Sequence, residues 1–267
     1  MQNRSFVIAC FVPLLIFSLT FLALPLIRLV MGSVEGENGW AIYLEIVQTP
    51  RYLSTLVQTV LVSAAVTVAA LAISTTAGLF LARNRFAGRG VLLSILTLPL
   101  AFPGVVIGFL IILLAGRQGL VNQLTPGHVV FAYSMFGLFL GYLYFSIPRV
   151  LLTVMAATEK LDPVLEEAAR SLGAGPARIV WDVILPGLAP SLVAAGAIAF
   201  ATAMGAFGTA FTLATDIDVL PMVIYTEFTL SANIAMASAL SVVLGLVTWV
   251  LLLVARSFAG ATVAGGG

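Results

Sequence analysis

The sequence predicts an all-α integral membrane protein, a six-transmembrane-helix bundle. Three observations carry that expectation. Of 267 residues, 61% are hydrophobic and only 9% charged, against about 25% charged in an average soluble domain. Six stretches contain no Asp, Glu, Lys or Arg: 5–27, 52–82, 90–116, 118–148, 183–215 and 228–255. Each exceeds the ~20 residues with which a helix crosses a bilayer. The basic residues between these stretches fall mostly on one side of the membrane. So few charges cannot coat a water-soluble surface. That excludes a soluble enzyme, a disordered tail and a nucleic-acid binder with a basic face. A membrane barrel would need many alternating segments of ~10 residues, and none is present.

The spans follow in order. The first covers about Phe6–Met31 and carries Pro13 and Pro25. Its apolar run is longer than the about 7–15 residues of a signal-peptide core, so it reads as an anchor. The second covers Thr55–Ala82 and the third Val91–Ala115. Pro99 and Pro103 remove two backbone donors from the third, which must bend or break. That interruption serves either helix packing or a pathway. The fourth covers Val129–Ile147, the fifth Leu188–Leu213 and the sixth Ala237–Val254. The pairs Gly104/Gly108 and Gly137/Gly141 allow close helix approach. By this reading no charged residue lies deep in any span. Between the fifth and sixth spans, Asp216–Glu227 is acidic and contains Pro221, and 228–237 is apolar but too short to cross. This segment is either a re-entrant or interfacial piece facing a partner, or a solvated loop.

Orientation follows from the cations. With the N-terminus inside, Arg4, Arg83, Arg85, Arg89, Arg149, Lys160, Arg170, Arg178 and Arg256 are cytoplasmic, and Arg28, Arg51 and Arg117 are outside. The positive-inside rule therefore puts both termini in the cytoplasm. Of the acids, Glu35, Glu37, Glu45, Asp216, Asp218 and Glu227 fall outside.

Cys10 is the only cysteine and His128 the only histidine, so no intrachain disulfide and no multi-ligand zinc site can form, and no metal is expected. Lys160, the only lysine, follows Thr158 and Glu159 rather than glycine. The chain thus has no phosphate-binding loop, and any ATP must be bound elsewhere. An ion-coupled transporter would need intramembrane ionisable residues and usually internal repeats. An intramembrane enzyme would need paired catalytic residues at depth. Neither pattern is present.

One loop stands apart. Residues 148–187 hold Arg149, Glu159, Lys160, Asp162, Glu166, Glu167, Arg170, Arg178 and Asp182, nine of the 23 charged residues. Asp162 suits an N-cap and Pro163 the first helical position. Glu166 and Glu167 lie near the positive end of the helix dipole. Gly173 supplies a C-cap. Pro163–Leu172 is therefore expected to be a short helix with an apolar stripe of Leu165, Ala168, Ala169 and Leu172. A second helix is expected from Pro176 toward Val183, stopped by Leu185 and Pro186. Together they would make a rigid knob.

The residues of this knob spell Glu167-Ala168-Ala169, three residues, Gly173, nine residues, Val183, one residue, Leu185-Pro186. This resembles the EAA loop of permease subunits of binding-protein-dependent ABC importers, with Val183 in place of the usual Ile, a tolerated swap. The resemblance covers roughly Tyr52 to Arg256. It implies the type I ABC importer permease fold, with the loop as a cytoplasmic coupling element. Residues 1–51 would be an added transmembrane helix with its external loop, 52–256 the permease core, and 257–267 a short tail.

The resemblance further implies that Glu167, Ala168, Ala169, Gly173, Val183, Leu185 and Pro186 couple the chain to a cytoplasmic ABC ATPase dimer. ATP and Mg²⁺ would sit on that partner, with no cofactor in this chain and no catalysis by it. The other implied partners are a second permease, identical or homologous, an extracytoplasmic solute-binding protein and the lipid of a bacterial inner membrane. A nucleic acid is not among them. Met204, Gly205, Phe207, Gly208, Thr209 and Thr212 would line a translocation pathway or serve helix packing. The stretch from Leu98-Pro99 to Gly108 looks like the third span of sulfate, molybdate, iron and polyamine permeases; Met204–Thr209 takes the place of their Gly-acid-Phe/Tyr-Gly-like segment, with Ala206 where an acid often appears. The acids outside favour a polyamine of the spermidine and putrescine type, with sulfate or molybdate, ferric iron, phosphonate and thiamine as alternatives.

Overall fold

The computed structural model describes residues 4–36, 38–124, 130–213 and 217–264. Glu37, His128, Val129, Thr215 and Asp216, which entered the readings above, lie outside the described residues. Among the described residues there is no β-strand, and six helices are long and apolar enough to span a bilayer: Phe11–Val34, Pro50–Arg83, Gly104–Leu124, Met135–Thr158, Pro176–Met204 and Ile234–Ser257. The chain divides into two compact units, residues 1–56 with 220–246, and residues 57–219 with 247–267.

In the first unit, Ile42, Ile46, Leu220, Val223, Met236, Ala239 and Leu240 form the core. Buried Ser33 shares a 2.7 Å hydrogen bond with Tyr43, and the Tyr52 hydroxyl donates to the buried Glu227 at 3.1 Å. The first span's described apolar side chains are almost all exposed, which suits lipid. A π-helical turn, Leu19–Ala23, precedes Pro25 and widens the backbone where the ring would strike the carbonyl four residues back. The segment between the fifth and sixth spans is helical: Leu220–Thr229 is a helix with Leu220, Val223 and Glu227 buried, 230–233 a turn, and the last helix starts at Ile234. Asn233 starts it by accepting the Met236 N–H at 3.0 Å.

In the second unit, Val150, Val154, Leu188, Ala195 and Ala199 are buried together with Ala70, Ile179 and Ile184. Of the bend or break expected in the third span the structure has the break, and the fourth and fifth spans depart from their expected bounds. The third span is broken outright. Its helix Arg89–Thr97 tightens into a 3-10 turn, Leu98–Ala101, passes through extended Phe102 and Pro103, and restarts as Gly104–Ala115. Two prolines four apart leave no continuous ladder. The fourth span does not stop at Ile147; it continues through Pro148 to Thr158. The apolar run 150–157 beyond Arg149 keeps its helical face buried, so the connecting loop is far shorter than 40 residues. The fifth span ends at Met204 and resumes as Phe207–Leu213 after Gly205 and Ala206.

The two restarted pieces lie against each other. A Cβ on Gly108 would stand 2.6 Å from Thr212 Cβ and 3.1 Å from the Thr209 carbonyl oxygen. Only a residue without a side chain permits this approach. Thr209 and Thr212 hydroxyls donate across it to the carbonyls of Gly104 and Val105, at 3.0 and 3.2 Å.

Gly108→Leu should therefore force these pieces apart, costing about 1–3 kcal/mol by overpacking. Thermal unfolding of the detergent-solubilised protein should fall by several degrees. Gly245→Leu, whose Cβ meets nothing within 4 Å, should leave the midpoint unchanged. Equal midpoints for both variants would refute the close-packed contact.

Candidate functional site

The knob folds as its local residues dictate. Asp162 Oδ1 accepts the Val164 N–H at 3.0 Å and caps the helix Pro163–Ser171. At the other end Gly173 has φ +82°. The Gly173 N–H donates to the Arg170 carbonyl at 2.9 Å and the Ala174 N–H to the Ala169 carbonyl at 3.0 Å. This pair of bonds is a Schellman motif, and it needs a residue that enters the left-handed region freely. Pro176 then opens the second short helix.

The expected apolar stripe is split. Ala169 packs inward with Leu161, Ala174, Val180 and Val183 against the buried cluster. Leu165 and Leu172 are 56% and 89% exposed, and Val164 and Trp181 join them outside. The reason is electrostatic. Glu166, the residue before the motif's acid, is 8% exposed and forms a bidentate ion pair with Arg83 at the end of the second span. Planar fork-to-fork geometry is the strong form of this contact. It turns the Glu166 side of the helix inward and leaves Glu167, Ala168 and Leu172 outward. Among the described residues Glu167 makes no ion pair. The pair reaches Arg83 because the second span is 34 residues long, roughly 50 Å at 1.5 Å per residue, well beyond a bilayer core of about 30 Å.

Pro186 does not stop the second helix. A π-helical turn, Val180–Ile184, carries the chain from Pro176–Ile179 into Leu185–Met204 without interruption. As before Pro25, the wider turn absorbs the missing N–H. Val183 and Leu185 are partly buried in this passage, and Pro186 is exposed. The second helix of the knob is thus the first part of the fifth span, Pro176–Met204.

That span leads to a cavity of about 300 Å³ at the level of the two breaks. Pro99 and Gly104 from the third span, Arg149 from the fourth, and Gly205, Gly208 and Thr209 from the fifth all line it. The buried Tyr142 donates its hydroxyl to the Ala206 carbonyl and holds the fifth-span break in place. Of the residues expected on a pathway, Gly205, Gly208 and Thr209 border this cavity. Met204 is buried in the core, Phe207 stands against Phe211 with ring centroids 5.2 Å apart, and Thr212 belongs to the helix contact.

Arg149 was expected in the loop. It lies instead inside the helix Met135–Thr158, and its Nη1 donates to Thr202 Oγ1 at 2.7 Å. Arg149 thus lies within a helix long and apolar enough to span, and not in the connecting loop. The uncharged apolar run after Arg149 was the signal in the sequence. Pro148 disguised it, because a proline beside an arginine reads as the end of a span.

Comparisons with known proteins agree with this architecture. Residues 74–263 match the family model described as binding-protein-dependent transport system inner membrane component. The chain is 34% identical over 179 residues to the molybdenum transport system permease protein ModB of Escherichia coli, covering 63% of this chain and 78% of that one. It is 31% identical over 234 residues to the sulfate transport system permease protein CysT of Salmonella typhimurium, covering 85% and 84%. Its fold is similar to a chain of the bacterial alginate ABC transporter solved in complex with an alginate pentasaccharide-bound periplasmic protein. That match has a TM-score of 0.77 and 19% identity, over 94% of this chain and 92% of the other.

The Arg83–Glu166 pair makes a local prediction. Glu166→Gln should raise amide hydrogen exchange across 163–171 by about tenfold, the effect of losing a contact of about 1.4 kcal/mol. Arg83→Glu combined with Glu166→Arg should restore most of the protection. Exchange equal to wild type in Glu166→Gln would show that the pair does not fasten the knob.

Proposed function

The chain belongs to the family of binding-protein-dependent transport system inner membrane components and is the permease subunit of an ABC importer; we propose that it forms half of an oxyanion pathway driven by a separate ATPase. It is a multi-pass protein of the inner membrane, and in our reading both termini and the knob are cytoplasmic. The observation that carries the coupling reading is the exposed apolar surface of Val164, Leu165, Leu172 and Trp181 on an element fixed by caps and an ion pair. Large apolar side chains left exposed on both helices of a fixed element suit a docking surface.

The ATPase, with its ATP and Mg²⁺, would receive that surface. Glu167 would offer a partner arginine a charge-assisted bond, and Ala168 would permit close approach. Gly173 would hold the turn between the two helices. Val183, Leu185 and Pro186 would pass the displacement into the fifth span. Because Pro176–Met204 is one continuous helix, a shift of the knob becomes a shift of the span's far end, beside the cavity. Two such permeases, rocked by ATPase closure, would alternate between inward-open and outward-open states. An extracytoplasmic binding protein would deliver the solute.

For the solute we favour a tetrahedral oxyanion, molybdate or sulfate, over a polyamine. The relatives named above carry molybdenum or sulfate. The external acids that favoured a cation are partly committed to internal structure: Glu227 accepts from Tyr52, and Glu45 from Asn38 at 3.0 Å. The remaining pathway residues from sequence, Met204, Phe207 and Thr212, then serve the packing around the path.

Two outcomes test this reading. Leu172→Glu should leave membrane abundance unchanged but reduce co-purified ATPase by about tenfold or more, since burying one leucine is worth about 2 kcal/mol. Gly173→Asp, with a side chain at φ +82°, should retain insertion while uncoupling ATP hydrolysis from uptake. Wild-type uptake by both variants would refute the docking role. Separately, the assembled transporter should take up labelled molybdate or sulfate and not spermidine; the reverse would refute the oxyanion reading.

A further inference from the structure

We propose that Arg149 and the cavity beside it form an anion-binding site inside the permease, a station for a tetrahedral oxyanion on its way across. Arg149 is nine residues from the nearer end of the helix Met135–Thr158, roughly 14 Å along the axis. A cation within a spanning helix that faces a cavity is retained where it has work or a counter-charge. Among the described residues no carboxylate pairs with Arg149. Its described partner is the Thr202 hydroxyl, a neutral group that uses one nitrogen of the guanidinium. An arginine carries five donors in a planar fork, so most of this one is free to meet a ligand. The charge is fixed in position but not neutralised.

The surroundings select the sign of that ligand. No Asp or Glu lines the cavity, so a cation would meet only repulsion there. Gly104, at the first position of the helix Gly104–Ala115, adds the positive end of a helix dipole to the same wall. The cavity, of about 300 Å³, accommodates a small inorganic anion with part of its hydration. One arginine without a second cation binds weakly, as a transport path requires: strongly enough to admit the solute and weakly enough to release it. The preference of the site for an anion follows from this geometry alone. Its occupancy by an oxyanion rests on the oxyanion reading of the solute given above.

The experiment uses the full transporter, permease with ATPase and binding protein, in liposomes. Cys10→Ser removes the native thiol, and Gly205→Cys places one on the cavity wall, where a Cβ has room. The rates of modification by an anionic and a cationic methanethiosulfonate are compared. With Arg149 present the anionic reagent should be favoured, and sulfate or molybdate should slow it. In Arg149→Gln the anionic-to-cationic ratio should fall by about tenfold, the order expected from one charge a few ångströms away. Arg149→Lys should keep most of the preference. Thr202→Val cuts the hydrogen bond but leaves the charge, so it should also keep the preference; a purely structural Arg149 predicts that it loses it. Uptake by Arg149→Gln in the native-cysteine protein should drop by about tenfold or more, while Arg149→Lys recovers part of it.

A reagent ratio that does not change in Arg149→Gln overturns the anion site, whatever the solute is. Oxyanion uptake at the wild-type rate in Arg149→Gln overturns its place on the path. If the wild type takes up neither oxyanion while the ratio still depends on Arg149, the solute reading falls and the anion site stands.

Discussion

A proline has no N–H, and its ring displaces the carbonyl four residues back. In a lipid-exposed bundle that defect must be absorbed by protein. This chain handles it in three ways, and the functional architecture follows from which way is used where. Before Pro25 and Pro186 a π-helical turn absorbs the defect and the helix runs on. At Pro148 the helix simply continues, with Ser74 donating to the neighbouring Ile147 carbonyl at 3.1 Å. At Pro99 and Pro103 the helix breaks. The break leaves room, and the facing interruption at Gly205 and Ala206 enlarges it into the cavity beside Arg149.

Continuity at Pro186 matters as much as the break. Had the proline ended the helix, the knob would hang on a flexible joint, and a push on it would dissipate. Instead the knob shares a helix with residues that reach the cavity wall. The Arg83–Glu166 pair fastens its other side to the second span. Such a partly buried pair is weak evidence for stability, because desolvation offsets much of the attraction. Its use here is positional: it decides that Glu166 faces inward and that Leu165, Glu167 and Leu172 face outward.

What was legible in the sequence was local. The Asp162 cap, the Gly173 turn and the Pro176 start depend on neighbours in the chain, and the structure has each where spacing put it. The six spans were legible because lipid imposes a length and an absence of charge. What was not legible depended on tertiary partners. Nothing in Glu166-Glu167 tells which acid meets Arg83, 83 residues away. Arg149 looked like the end of a span because charge and proline stood together, although the apolar run after it carried the opposite signal. Whether Pro99 and Pro103 would bend or break the helix depended on Thr209 and Thr212, which bond the restarted helix from across the bundle.

The central claim is that the knob and the fifth span move as one rigid element during ATP-driven cycling. In the Cys10→Ser transporter, spin labels at Ala177→Cys and Ile198→Cys should lie roughly 30 Å apart along that helix. Pulsed electron spin resonance should give the same distance, within about 2 Å, in the nucleotide-free and ATP-trapped states, while the element as a whole shifts. A change of about 5 Å or more between the states, the length of a helical turn, would mean that the π-helical turn is a hinge and would contradict the claim.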